Sequence, residues 1–331
     1  MSFTGEEYKN VAAQGMNAYA APSLFQPHKA RQAIRDAHEK KIPPLMCYYS
    51  GLSALPITRF LAPLGYDAVW IDWEHTSCNV ETMTNSISQT PVPRAAMLIS
   101  SPSVPGHDHA AIGYALDAGA SIVVPQVDTV EQAKHVVSAA KYGTKQNGSR
   151  SAPPFRLIPF CTDTPYDPNR DIHKCVNDQA AIMIQIESAE GVRNLDAILT
   201  EVPDIDVVWF GTLDARVSMN LPANVGGPQN EPEWIEISKL FFETIDKHDK
   251  PYAGFSFFTP PYGSVEKFQE AARRMSMISM SADVFHLMMM GQDLQQGRQL
   301  AAPVWEEGRA KKNGTNGEAN KNGKETNGKS S

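Results

Sequence analysis

Ala181-Ile-Met-Ile-Gln-Ile-Glu187 and Asp206-Val-Val-Trp-Phe-Gly-Thr-Leu-Asp214 decide how this chain folds. Each is an apolar run of strand length that leads to a carboxylate. Between them, Ser188 to Thr200 places Val192, Leu195, Ile198 and Leu199 on one face at helical spacing. Strand, helix and strand in so short a span read as a βαβ unit, which makes the two strands parallel in one sheet. Glu187 and Asp214 then emerge at the same C-terminal edge. Two hard oxygen ligands converging on one spot suit a divalent cation.

The same alternation extends in both directions. Before the central unit, strands are expected at 45–49, 67–72, 95–99 and 121–125, with helices at 27–40, 55–63, from Asn79 as the cap, at 110–118 and at 130–142. After it, a helix at 234–248 precedes strands at 252–256 and 277–280, a helix at 265–275, and a last helix from Asp283 to about Leu300. Strand candidates each followed by a helix candidate predict an α/β fold of the (β/α)₈ TIM-barrel type, with functional groups at the C-terminal ends of the strands. An open doubly wound sheet is the second reading, because alternation by itself does not require closure. No G-x-G-x-x-G follows the first strand, which counts against it. The Pro-, Ser- and Gly-rich stretch 143–169 is long for a connection, so a functional or disordered loop is expected there. The domain reading is an N-terminal arm over 1–24, a barrel over 25–308, and an Asn/Gly/Lys-rich tail over 309–331 expected to be disordered.

Composition excludes several function classes. A chain of 331 residues that is 42% hydrophobic can bury a full core. Its net charge of -7 and scattered basic residues speak against nucleic-acid binding. Cys47, Cys78, Cys161 and Cys175 form no C-x-x-C pair, so neither a structural zinc site nor a disulfide framework is expected. The first residues include Glu6, Glu7 and Lys9 and lack the apolar core of a signal peptide, and no apolar run reaches the roughly 20 residues that cross a bilayer. A soluble cytoplasmic protein with no membrane partner is the expectation.

Chemistry-bearing groups gather at the predicted strand ends: Asp72, Glu74, His75, Gln185, Glu187 and Asp214. Glu187 and Asp214 can each give an oxygen to Mg²⁺ or Mn²⁺ and leave water positions for a chelating substrate. His75 can move protons near neutral pH, with Asp72 three residues earlier to hold its tautomer. Gln185 lies inside an apolar strand, where a buried amide needs a partner. Plainer readings stand beside these. A lone acid at a strand end is commonly a cap or a loop ion pair. Trp70, Trp73 and Trp209 suit core packing as well as a pocket wall, and the methionines between Met275 and Met290 suit core filling.

Gly65-Tyr-Asp-Ala-Val-Trp-Ile-Asp-Trp-Glu-His75, Ala115-Leu-Asp-Ala-Gly-Ala-Ser-Ile-Val-Val-Pro125, Gln185-Ile-Glu187 and Phe210-Gly-Thr-Leu-Asp214 together resemble the HpcH/HpaI aldolase family. These are the metal-dependent class II pyruvate aldolases of the phosphoenolpyruvate/pyruvate barrel superfamily. The resemblance runs from about Phe25 to Leu300, and the length and tail are similar to the family's fungal members. It implies a barrel whose last helix is exchanged between subunits of a homo-oligomer, a trimer or hexamer. It implies Glu187 and Asp214 as metal ligands, for Mg²⁺ first and Mn²⁺ or Co²⁺ as alternatives. It further implies His75 as catalytic base with Asp72 as its partner, and Gln185 lining the site. The activity it implies is carbon–carbon lyase chemistry on a 2-oxo acid of the pyruvate or oxaloacetate type through a metal-stabilised enolate, by aldol reaction or decarboxylation.

The chain departs from the family pattern after the third strand. Where the family has an arginine that contacts substrate oxygens, this chain has Ser100 or a neighbouring serine, and Arg94 stands at the far end of that strand. A serine supplies no charged bidentate fork. Arg150 in the long loop, or His107 and His109, are the candidates to replace it, and Ser100, Trp73 and Arg150 join Gln185 as candidate substrate-binding residues. Thr212-Leu-Asp214 stands for a proline-containing turn, Ala215-Arg216 for Leu-Ser, and Asn220 for glycine. These departures keep two alternatives open: altered chemistry in fungal secondary metabolism, and a non-catalytic barrel used for interaction.

Overall fold

Eight short strands, each a run of apolar and β-branched residues, close on one another in chain order in the computed structural model. They are β1 (Leu45–Ser50), β2 (Ala68–Asp72), β3 (Ala96–Ser100), β4 (Ser121–Val124), β5 (Ile182–Ile186), β6 (Val207–Phe210), β7 (Tyr252–Phe255) and β8 (Met277–Ala282). All neighbours are parallel, and β8 returns to β1 with Leu45 opposite Met277. Closure decides between the two architectures: this is the (β/α)₈ barrel. The structure describes residues 15–21, 26–52, 54–88, 96–100, 109–153, 157–159, 162–223, 227–260 and 262–322, with backbone alone for 15, 17, 62, 96–100 and 313–322.

Helices α1 (Ala30–His38), α2 (Leu55–Leu61), α3 (Val80–Ser88), α4 (His109–Asp117), α5 (Val130–Ala140), α6 (Ile172–Gln179), α7 (Ala189–Glu201), α8 (Thr212–Ser218), α9 (Pro232–Lys247) and α10 (Val265–Arg274) belong to the same compact unit as the strands, which ends at Ala282. Their starts are fixed locally. Ser188 accepts from the N–H of Gly191 at 2.9 Å, Asn79 from that of Thr82 at 2.7 Å, and Thr129 and Gln132 form a reciprocal capping box. Each cap satisfies amides that a first helical turn leaves without partners.

Two apolar layers follow from the period-2 alternation of strand side chains. Val69, Ile71, Ile122, Val124, Ile184, Ile186, Val208, Phe210 and Ile278 face outward into a layer shared with the helices, among them Ile112, Val136, Leu195 and Phe241. Cys47, Trp70, Val123, Met183, Trp209, Ala253 and Met277 face inward and fill the barrel. The inner layer continues into Met16 and Tyr19 of a short 3₁₀ turn and into Ala30, Ala33 and Ile34 of α1. The N-terminal arm expected over 1–24 therefore contributes, through its described part, to the core at the N-terminal edge.

The second unit begins at Asp283 and is formed by α11 (Asp283–Asn322). Helix is found over 309–322, within the tail for which the sequence reading expected disorder; 323–331 lie outside the described residues. Helix growth adds one hydrogen bond per residue fixed, so a segment of poor intrinsic propensity can continue a helix it would not start. Among the described residues no helix is long and apolar enough to cross a membrane.

Candidate functional site

Glu187 sits one residue past the end of β5 with its side chain almost fully buried. Its carboxylate is held from two sides. Gln185 Nε2 donates to one oxygen at 2.9 Å, and the backbone N–H of Gln126 donates to the other at 3.0 Å. Gln126 delivers that N–H from a left-handed backbone conformation (φ +52°), which a non-glycine residue adopts at a cost in strain. Gly211 completes the seat: a Cβ there would stand 2.5 Å from Glu187 Cγ and 2.8 Å from Cδ, so the carboxylate leans across the end of β6. The buried amide of Gln185 thus has its partner, and that partner is the acid expected to bind metal.

Asp214 arrives differently. The structure folds α8 directly off the end of β6, with Asp214 in its first turn and exposed. Arg216, fully buried, ties this helix down. Its guanidinium donates to both carboxylate oxygens of Glu231 at 3.0 and 2.7 Å, its Nε donates to the carbonyl of Pro222 at 2.8 Å, and its plane lies 5.1 Å from the Trp234 ring. The Ala215-Arg216 departure noted in the sequence therefore anchors the element that carries Asp214.

The electrostatics of Glu187 are those of an uncompensated acid. Its pKa is pushed up to about 8, first by burial and next by the Asp214 carboxylate, with smaller contributions from Glu74 and Asp128. The Gln126 N–H acts in the other direction. Desolvation and like charge both disfavour the ionised form, and a cation between Glu187 and Asp214 would reverse both penalties. The donor set therefore fits a hard divalent ion. Among the described residues no group of three or more His, Cys, Asp or Glu side chains is arranged to hold a metal, so protein ligation by two carboxylates would leave positions for water and substrate oxygens.

At the end of β2, Asp72 is buried and accepts hydrogen bonds from the Tyr49 hydroxyl at 2.7 Å and from the backbone N–H groups of Glu74 at 2.8 Å and His75 at 3.1 Å. Thr76 Oγ1 donates to the Asp72 carbonyl at 3.1 Å. Asp72, expected to orient the His75 ring, accepts from the backbone of the turn on which His75 and Glu74 stand. The imidazole is largely exposed at the rim, with Nε2 3.8 Å from Glu74 Oε2. A three-residue spacing past a strand end favours the short backbone loop, because a carboxylate there meets the following amides before it can reach a ring.

One expected site residue lies at the other edge of the barrel. Arg150 is buried against α4 and α5, where it pairs with Asp117, donates to the Ala140 carbonyl at 3.5 Å and stacks 4.4 Å from the Tyr142 ring. Those are the C-terminal ends of barrel helices, hence the N-terminal edge of the barrel, opposite Glu187. Segment 143–169 leaves and rejoins the barrel at that same edge, between α5 and β5. Trp73 is half-buried and packs against the outer strand–helix layer. Ser100 ends β3 level with Asp72, as the register places it. His109 opens α4, exposed, with its ring 6.1 Å from His135; Arg94 and His107 lie outside the described residues. Sequence reasoning gave no role to Tyr49, Gln126 or Gly211, noted Arg216 only as a departure from the family pattern, and treated Glu74 only as a strand-end acid. The Gly between Phe210 and Thr212 carried the one readable signal, a residue without a side chain beside a candidate ligand.

Comparison with known proteins places this geometry among relatives. The profile of the HpcH/HpaI aldolase/citrate lyase family matches residues 45–285. A 2-keto-3-deoxy-L-rhamnonate aldolase of Klebsiella pneumoniae subsp. pneumoniae is 34% identical over 179 residues, covering 52% of this chain and 61% of that one. Its Salmonella paratyphi B counterpart is 32% identical over 190 residues, covering 54% and 65%. The chain thus matches less than two thirds of the length of these curated relatives. The crystal structure of macrophomate synthase superposes with a TM-score of 0.76 at 28% identity, covering 91% of this chain and 99% of that one. A family protein from Burkholderia cenocepacia shares the fold at a TM-score of 0.65 and 22% identity, covering 81% and 98%.

Proposed function

Because the chain belongs to the HpcH/HpaI aldolase/citrate lyase family, we propose that it is a divalent-metal-dependent carbon–carbon lyase of a pyruvate- or oxaloacetate-type 2-oxo acid. The observation that carries this reading is the buried Glu187 carboxylate, raised by desolvation and by Asp214 at the C-terminal edge of the barrel. Glu187 and Asp214 would hold the ion, Mg²⁺ in the first instance. When bound, such an ion supplies a Lewis acid for the oxo oxygen of the substrate. The protein's own groups do the rest. Gln185 and the Gln126 N–H fix the Glu187 carboxylate, Asp72 and Tyr49 set the turn after β2, and His75 on that turn exchanges a proton with the reacting carbon. Ser100 stands level with Asp72 in the strand register, at the position where the family pattern has an arginine.

The test uses the whole chain stripped with EDTA and reloaded with Mg²⁺ or Mn²⁺. Oxaloacetate decarboxylation and hydrogen–deuterium exchange at C3 of pyruvate are expected only with metal, and Asp214→Asn should lower both more than 100-fold while circular dichroism stays native. Undiminished turnover in Asp214→Asn would refute the assignment.

Ser100 also motivates a second reading, in which the barrel and metal pair serve an altered reaction on a larger substrate. Robust turnover of oxaloacetate and pyruvate by the wild-type chain decides against it. For assembly we favour a homo-oligomer that exchanges the last helix, since α11 exposes Leu287, Met289, Met290, Leu294, Leu300 and Trp305. A monomer in sedimentation equilibrium at micromolar concentration contradicts that. We place the protein in the cytosol.

A further inference from the structure

The inward-facing positions of three consecutive strands fall into one layer above the barrel floor. Gln185 on β5 is opposite Trp209 on β6, which is opposite Ala253 on β7. Two residues further along each strand, with the same inward parity, come Glu187, Gly211 and Phe255. Adjacent strands lie about 4.8 Å apart, so Phe255 stands roughly 10 Å from Glu187 across the layer. Nothing projects from the strand between them, because Gly211 has no side chain and the Glu187 carboxylate leans over its position. The metal-binding acid and the phenyl ring thus look onto one space.

Phe255 is built into the barrel yet left open. Its ring stacks on Trp70 at 5.7 Å and 18° and meets the rings of Trp209 and Tyr49 edge-on at 5.3 and 5.5 Å. It nevertheless keeps 42% of its surface exposed. The wall continues upward: Phe255 stacks on Phe257 at 6.1 Å and 20°, while Phe258, also 42% exposed, rests edge-on against Phe268 of α10 at 5.7 Å. Leu213, at the start of α8 beside Asp214, is 47% exposed as well. These side chains offer no hydrogen-bond donor or acceptor. Hydroxyl groups of a ligand lying there would lose water without replacement, whereas a flat apolar group would bury surface and stack.

Resting on the 2-oxo acid reading above, we propose that the β7 wall of Phe255, Phe257 and Phe258 is the binding site for the second reactant, and that this reactant is an aldehyde bearing an aromatic or flat apolar group. The step is redox-neutral. C3 of the 2-oxo acid gives up a proton and forms a bond to the aldehyde carbon, whose oxygen gains a proton, yielding a 4-aryl-4-hydroxy-2-oxo acid; cleavage runs the same bonds in reverse.

The experiment uses the full chain with Mg²⁺ and pyruvate, and compares benzaldehyde with glycolaldehyde as acceptors. The wild type is expected to favour benzaldehyde at least tenfold in kcat/KM. Phe255→Ser should reduce that ratio at least tenfold, and Phe255→Leu, which keeps the packing on Trp70, should reduce it less. A second readout needs no turnover: benzaldehyde should quench tryptophan fluorescence of the metal-free wild type saturably, and not that of Phe255→Ser. Preference for glycolaldehyde, or an unchanged ratio in Phe255→Ser, overturns the proposal even if pyruvate C3 exchange is normal. If exchange is absent while saturable, Phe255-dependent binding of benzaldehyde persists, the aromatic site stands and the 2-oxo acid reading falls.

Discussion

Replacing Glu187 with glutamine is expected to stabilise the metal-free protein, against the usual outcome of substituting a buried residue. In the fold this carboxyl titrates near 8, against an ordinary value of 4.5. A raised pKa means the folded chain holds the proton more tightly than the unfolded chain. The contribution is therefore fully present below about pH 4.5 and is lost as pH rises through the window from 4.5 to 8. At pH 7 the unfolded carboxyl has been ionised over 2.5 units, which at 1.36 kcal/mol per unit costs the folded state about 3 kcal/mol. Glutamine is neutral at every pH and removes this term. Its amide offers one oxygen where the carboxylate offered two, so one of the bonds from Gln185 and Gln126 is lost, a cost of about 1 kcal/mol. The net expectation is a gain of about 2 kcal/mol at pH 7 in EDTA. With Mg²⁺ present at a hundred times its Kd, the wild type should gain about 2.7 kcal/mol by mass action and the variant none. Urea denaturation followed by tryptophan fluorescence, at pH 5 and 7 with EDTA or Mg²⁺, measures all of these. A variant less stable than wild type in EDTA at pH 7, or a wild type whose stability does not fall between pH 5 and 7, would show that the carboxylate is not burdened as described.

Further outcomes follow from particular contacts. Gly211→Ala places a methyl where the Glu187 side chain lies; calorimetry should show Mg²⁺ affinity reduced at least tenfold with the barrel still folded, and unaltered affinity would contradict the seating of that carboxylate. Arg150→Ala breaks a buried pair at the N-terminal edge; about 3 kcal/mol of stability should be lost, with kcat/KM of the folded fraction within twofold of wild type, and a selective loss of turnover would restore Arg150 to the site. Tyr49→Phe removes the hydroxyl that donates to Asp72 and should cost about 1–2 kcal/mol in thermal or urea melts; no change would mean that the Asp72 turn stands without it.

Much of this was legible along the chain, and the rest was not, for a physical reason. The βαβ period around Glu187, the alternation through eight strands, and the Asn79 cap are local patterns, set by residues that are neighbours in sequence. Glu187 and Asp214 were readable as acids at one edge because consecutive parallel strands must end on the same side. What tertiary structure decided were meetings between distant segments: β8 closing on β1, the Tyr49 hydroxyl on Asp72, Arg150 turned to the far edge, and Phe255 level with Glu187 across Gly211. These depend on strand register, and a slip of one residue sends every side chain of a strand to the opposite face. No local pattern carries that information, so the chemistry-bearing residues could be named from the sequence while their partners waited for the closed barrel.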